Sequence, residues 1–237
     1  MSRRRRQRLR HIRRSRGERP ELAHLKSKRA LNKAAFRQRI LDAACQLFQE
    51  HGFRETTMQA IAMVAGTGVA TIYKHFQSKE DIFYELIVPE IDQCFDRAES
   101  IVANPPGDPV AALKRLLACY FDLGRNRLRK PLLSAFSVPG MAGAWNILDE
   151  VAEETDIHAR QLVRNLLLAF QARGAIPRSL NVEQMATIVY SAFNQKYIEY
   201  LAHEDARKEP AIREVNQLIT LLFTTWRTTP RMTTLRP

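Results

Sequence analysis

Apolar residues recur three and four positions apart along nearly the whole chain, and its long stretches lack the alternation that a half-buried strand requires. Nine Gly and eleven Pro in 237 residues interrupt that pattern only rarely. The expected class is therefore all-α. With 45% apolar residues, the chain can build one large core or a small core joined to a medium one.

Charge is unevenly distributed. Of the formal net charge of +12, residues 1–32 carry +11, from ten Arg between Arg3 and Arg19 plus Lys26, Lys28 and Arg29, against Glu18 and Glu21. The other 205 residues are nearly neutral at +1. A polyanionic partner is implied, but by a tail rather than by the body. Residues 1–32 are also poor in large apolar side chains, so they cannot offset the entropy of ordering and read as a disordered Arg-rich arm.

Cys45, Cys94 and Cys119 are odd in number, far apart and without metal-ligand spacing. They read as small core-filling thiols in a reducing compartment, with a redox sensor as the alternative. No run approaches the ~20 apolar residues of a membrane span, and the Arg-rich start lacks the apolar segment of a secretory signal. A cytoplasmic chain with no membrane partner is expected.

A helix over residues 36–51 carries Ile40, Ala44, Leu47, Phe48 and His51 on one stripe, and Gly52 sits where a left-handed C-terminal turn needs it. Thr56 with Gln59 forms a capping-box start for a second helix of about nine residues, whose apolar face is Ile61, Ala62 and Ala65. After a turn at Gly66, Thr67 and Gly68, residues 69–75 form another helix anchored by Ile72 and Phe76, with Gly68 as its N-cap. Two short helices across a Gly-containing turn make a helix-turn-helix spanning roughly Thr56 to Phe76. Ser78, with Asp81 in the capping-box position, opens a longer helix to Ala103, and Pro89 inside it predicts a kink or break near Ile87 and Val88. Beyond the Pro- and Gly-containing residues 104–109, helices are expected at 110–126, 131–138, 146–172, 182–203 and 210–228. The domains expected are an arm at 1–32, a helix-turn-helix domain at 33–80, a larger helical domain at 81–228 and a flexible tail at 229–237.

Across residues 40–83, the pairs Ala43-Ala44, Leu47-Phe48, Gly52-Phe53, Thr56-Thr57, Ile61-Ala62, Ala65-Gly66 and His75-Phe76, with Tyr73 and Lys79, resemble the DNA-binding domain of TetR-family transcriptional regulators. The family often has Val-Ser before the recognition helix and Gly one turn into it, where this chain has Thr67-Gly68 and Ala70; the departures bear on operator sequence rather than architecture. The resemblance implies an N-terminal three-helix DNA-binding domain followed by a larger effector-binding and dimerisation domain. It also implies a sequence-specific regulator, by default a repressor, released from a palindromic double-stranded DNA operator by a small, largely apolar effector.

A helix over residues 69–75 is short enough to enter the ~12 Å major groove end-on. Val69, Ala70 and Thr71 suit thymine methyl groups, and Lys74 reaches a guanine or a phosphate. Thr67 beside the turn joins the candidate DNA-binding set. Thr57, Tyr73, His75 and Lys79 supply donors at the margins of that surface, and the resemblance gives them a phosphate role. The alternatives are that Tyr73 and His75 cap a small core and that Lys79 is a solvated charge. The arm either reaches the minor groove or backbone, or merely adds nonspecific affinity or reflects a start assigned too far upstream.

One helix-turn-helix covers little DNA, so a homodimer is expected. Met185, Ile188, Val189, Ala192 and Phe193 form one stripe, and Val215, Leu218, Ile219, Leu222 and Trp226 another; the resemblance implies that these two helices pair across a two-fold axis into a four-helix bundle. The middle helices would enclose a pocket lined by Tyr120, Phe121, Phe136, Met141 and Trp145, with Asn194 and Tyr197, each of them alternatively plain core. A nonspecific DNA-coating protein is the competing binding class. The chain has no Ser/His/Asp or Cys/His spacing, no His pair one turn apart and no phosphate-cradling Gly loop, so no catalytic residue, metal or cofactor is expected.

Overall fold

The computed structural model describes residues 20–123, 130–137, 146–203 and 205–228. Every regular element among them is helical. The chain divides into two compact units, residues 1–40 and 41–237. That partition differs from the boundaries expected at 32/33 and 80/81: the helix-turn-helix and the helices after it lie in one unit.

In the first unit, helix α1 (Pro20–Glu55) begins well inside the segment expected to be disordered. Proline suits a first helical turn, where its missing N–H has no intrahelical use, and Glu21 favours the positive end of the helix. Ala, Leu, Lys and Arg then dominate to residue 35, all strong helix formers. Low hydrophobicity argued for disorder there, but propensity argues the other way.

In the second unit, α1 continues to Gly52, whose backbone leaves helical geometry at φ 81° and ψ 163°. The positive φ places this turn where glycine is favoured. Helices α2 (Met58–Val64) and α3 (Val69–Tyr73) follow, both shorter than expected. Helix α4 (Lys79–Ala103) is capped by the Ser78 hydroxyl, which accepts from the Asp81 N–H at 3.2 Å, while the Asp81 carboxylate accepts from the Gln77 N–H at 2.9 Å. Of the kink or break expected near Pro89, the break does not occur: the helix is continuous through it. Pro89 is exposed, and the buried stripe Ile82, Phe83, Leu86, Ile87, Ile91 and Cys94 holds on both sides of it, so burial outweighs one lost hydrogen bond.

Helix α5 (Pro109–Ala118) ends in a 3-10 turn, Cys119–Asp122, so the helix expected over 110–126 stops early. Helices α6 (Lys130–Ser137), α7 (Asn146–Ala172), α8 (Val182–Ala202) and α9 (Lys208–Thr228) match the remaining expected spans to within two residues. Helix α7 packs against α4 and α8, and α9 against α8 and α5. Among the described residues, no helix is long and apolar enough to cross a membrane.

Candidate nucleic-acid interface and effector cavity

Three aromatic rings set the angle at which the helix-turn-helix is held. Phe48 and Phe53 lie 5.0 Å apart, and Phe83 of α4 meets them edge-on at 6.0 and 5.4 Å. Such edge-to-face packing adds to the area these rings bury. Ile61 and Ala62 of α2, Ile72 of α3 and Phe76 are buried beside this core.

Helix α2 is capped by Thr57, not Thr56: the Thr57 Oγ1 accepts from the Ala60 N–H at 3.1 Å, while Thr56 is buried and its hydroxyl donates to the Gly52 carbonyl at 2.8 Å. The α2 end is a Schellman turn, with the Thr67 N–H donating to the Ala62 carbonyl and the Gly66 N–H to the Met63 carbonyl, and Gly66 at φ 65°. Gly68 then caps α3 with its backbone alone.

The expected DNA-facing residues separate into exposed and structural groups. Ala70, Tyr73 and Lys74 are exposed, and Val69, Thr71, Thr67 and His75 are half-buried, so α3 anchors through Ile72 and presents its other faces outward. Tyr73 is 51% exposed, which removes the alternative that its ring caps a core. Thr57 is exposed but already serves as the α2 cap. Lys79 is not the solvated charge of the alternative reading. Its Nζ donates to the carbonyls of Phe53 at 2.6 Å, Arg54 at 3.1 Å and Thr56 at 2.7 Å, and lies 4.4 Å from the Phe53 ring centre. Burial lowers its pKa, opposed by the charges of Glu80 and Glu55. With three carbonyls taking its three N–H bonds, Lys79 clamps the chain after Gly52 to the start of α4. Met63 at 77% and Val64 at 45% exposure also stand outside the core of this motif. They were not among the expected residues, although their phase, off the Ile61, Ala62 and Ala65 face, marks them.

Farther along α4, Phe95 meets Tyr120 edge-on at 6.3 Å and lies 4.2 Å from the ring of His158 on α7. Tyr120 in turn lines a cavity of about 120 Å³ with Asp156, Tyr190, Phe193, Asn194 and Tyr197. Three expected pocket residues, Tyr120, Asn194 and Tyr197, therefore reach one cavity. Phe121 does not line it: its ring packs on Phe193, Tyr197 and Tyr200 at 5.9, 5.4 and 5.4 Å. Met141, Trp145 and the Phe136 side chain lie outside the described residues.

The expected dimer stripes divide by burial. Val189, Phe193, Val215 and Ile219 are 1–3% exposed inside the chain itself, so they are core rather than contact surface. Ile188 is 47% exposed, Met185, Ala192, Leu218 and Leu222 are half-buried, and Leu221, not expected, is 60% exposed. The Trp226 side chain lies outside the described residues. The buried half of each stripe lies in helices packed on α7 and α5, and the other half is partly or largely exposed.

A short exposed helix braced by an aromatic core, joined by one long helix to a cavity-bearing bundle, defines a helix-turn-helix protein with a helical second half. Residues 40–86 match the family described as bacterial regulatory proteins, tetR family. Among curated relatives, the transcriptional regulator AcrR of Shigella flexneri is 36% identical over 97 residues, covering 41% of this chain and 45% of its own. The transcriptional repressor KstR2 of Rhodococcus jostii is 39% identical over 90 residues, covering 38% of this chain and 44% of its own. The chain thus spans less than half the length of these relatives. In fold, it is similar to the regulator FadR of Bacillus subtilis, solved with stearoyl-CoA, at a TM-score of 0.60 and 19% identity over 78% of this chain and 96% of that one. FadR of Thermus thermophilus, solved with lauroyl-CoA, aligns at a TM-score of 0.58 and 20% identity over 85% of this chain and 99% of that one. The tetR-family match is thus carried by residues 40–86, the helix-turn-helix and the start of α4.

Proposed function

We propose that this chain is a sequence-specific transcriptional regulator, a repressor that binds a palindromic operator as a homodimer and leaves it when a small, largely apolar effector occupies the α7/α8 cavity. The observation that carries this reading is α3, a five-residue helix anchored by Ile72 alone, with Ala70, Tyr73 and Lys74 facing outward. A helix so held can meet base edges with its first turn while Tyr73, Lys74 and Thr67 contact phosphates.

Helix α4 supplies the coupling. Phe83 seats it in the helix-turn-helix core, and Phe95, twelve residues on and about 18 Å along the axis, seats it against Tyr120 at the cavity wall. An effector that favours one packing of Tyr120 would tilt α4 and change the spacing of the paired recognition helices. Two FadR proteins of similar fold were solved with acyl-CoA. A cavity of about 120 Å³ is too small for their long acyl chains, so a compact effector fits this chain better.

The test is selection of duplexes from a random pool on the purified chain. An enriched inverted repeat is expected. Capture of duplexes without any common palindrome would favour the DNA-coating class instead, and would count against the dimeric regulator.

A further inference from the structure

The groups around the cavity are more selective than its size. Tyr120 and Tyr197, 5% and 7% exposed, both line it, and among the described residues neither hydroxyl has a hydrogen-bond partner. Native interiors keep few such groups, so these two mark where a bound molecule completes the bonding. The third phenol is different: the Tyr190 hydroxyl donates to the Asp156 Oδ1 at 2.6 Å. Burial, foremost, pushes all three phenols above their ordinary range, and the Asp156 charge adds to this at Tyr120 and Tyr190. They remain neutral hydroxyls. Asp156 is the acid among the described lining residues, and no ion pair among the described residues engages it. Around it stand aromatic rings, Phe193 lying 5.3 Å from Tyr120, 5.5 Å from Tyr197 and 6.0 Å from Tyr190.

Resting on the reading of this cavity as the effector site, we propose that its ligand is a small organic cation, a protonated amine on a single ring or similarly compact apolar body. The reasons are complementary. Asp156 is half-buried, and a carboxylate at the wall of an aromatic cavity, without an ion pair among the described residues, favours a positive partner. Aromatic faces attract a desolvated ammonium through their negative π surface. The phenol oxygens of Tyr120 and Tyr197 accept the ammonium N–H bonds that Asp156 leaves over. The volume sets the size, since an apolar cavity of about 150 Å³ holds benzene and this one is about 120 Å³. A carboxylate or acyl phosphate would meet Asp156 with like charge, and a neutral hydrocarbon would leave both hydroxyls unpaired.

Isothermal titration calorimetry on the full chain tests this with cyclohexylamine and benzylamine against the matched alcohols and carboxylates. The amines are expected to bind at least about tenfold more tightly than the alcohols, and the carboxylates not at all. Asp156→Asn keeps an oxygen for the Tyr190 hydroxyl, and should cost the amines about tenfold while leaving the alcohols unchanged. Tyr190→Phe frees the carboxylate and should not weaken the amines, whereas a purely structural role for the pair would weaken every ligand together. Equal binding of amine and alcohol, no binding of any probe, or a folded Asp156→Asn variant that binds amines like the parent overturns the proposal. If Asp156→Asn fails to fold, the amine-to-alcohol ratio of the parent chain decides. The titration needs no DNA. Failure of the amines in a chain that still selects an inverted repeat retires only the ligand class, whereas failure to select a repeat retires the regulator reading.

Discussion

An ammonium group has three N–H bonds, and Lys79 gives all of them to the carbonyls of Phe53, Arg54 and Thr56. Lys79→Met should therefore lower stability by about 1–3 kcal/mol in urea unfolding, as expected for hydrogen bonds to a charged donor. Lys79→Arg should not restore it, because a planar fork cannot meet three converging carbonyls. The salt dependence of DNA binding should hold its slope in either variant; a slope lower by about 0.9 would return Lys79 to the phosphate role. Cys94 gives a second residue-scale expectation. Burial, foremost, pushes its thiol up to about 12, and burial also raises that of Cys119. A raised pKa keeps the unreactive protonated form as pH rises toward it, so mass spectrometry after iodoacetamide treatment at about pH 8 should find both thiols unmodified in the folded chain and modified in urea. Residue roles were the least legible part of the sequence. Thr56 and Thr57 offer the same hydroxyl at adjacent positions, and burial decides which one caps α2. The pairing of Tyr190 with Asp156 is not legible in sequence, because a carboxylate on a charged helix reads as solvated and the phenol that donates to it lies 34 positions away.

At the scale of elements, the turn between α2 and α3 depends on Gly66 at φ 65°, where an added Cβ would meet nothing within 4 Å. The cost of Gly66→Ala is thus purely backbone, about 1–2 kcal/mol, and should appear as a lower thermal midpoint without loss of helical signal. Pro89 leads to the opposite sign. It is exposed in an unbroken helix, so Pro89→Ala should raise stability, by up to about 3 kcal/mol; a neutral or destabilising result would mean that α4 is shaped by the proline. Helix spans were the most legible feature, since periodicity and caps such as Ser78 with Asp81 act locally. What periodicity hid was which half of a stripe faces which neighbour: Ile188 and Val189 are adjacent, yet one is exposed and the other is core. The start of α1 was missed for another reason, because a basic, weakly apolar segment can be helical by propensity without a core to bury.

For the whole molecule, the exposed Ile188 and Leu221 are the residues on which to test pairing. Ile188→Glu with Leu221→Glu should yield a folded monomer by light scattering where the parent is a dimer; unaltered dimers would move the interface elsewhere. Removing residues 2–19, with their ten Arg, should weaken binding to all duplexes alike and flatten its salt dependence. Specificity that resides in α3 is measured directly by the ratio of affinities for a selected duplex and a scrambled one at a single salt concentration. For the parent chain, the ratio should be ~10³ or more. Replacing both Thr71 and Lys74 by Ala, with stability retained, should reduce it by about tenfold or more. A ratio that stays at the parental value in that variant would place specificity outside α3, and a parent that binds both duplexes equally would have none to place.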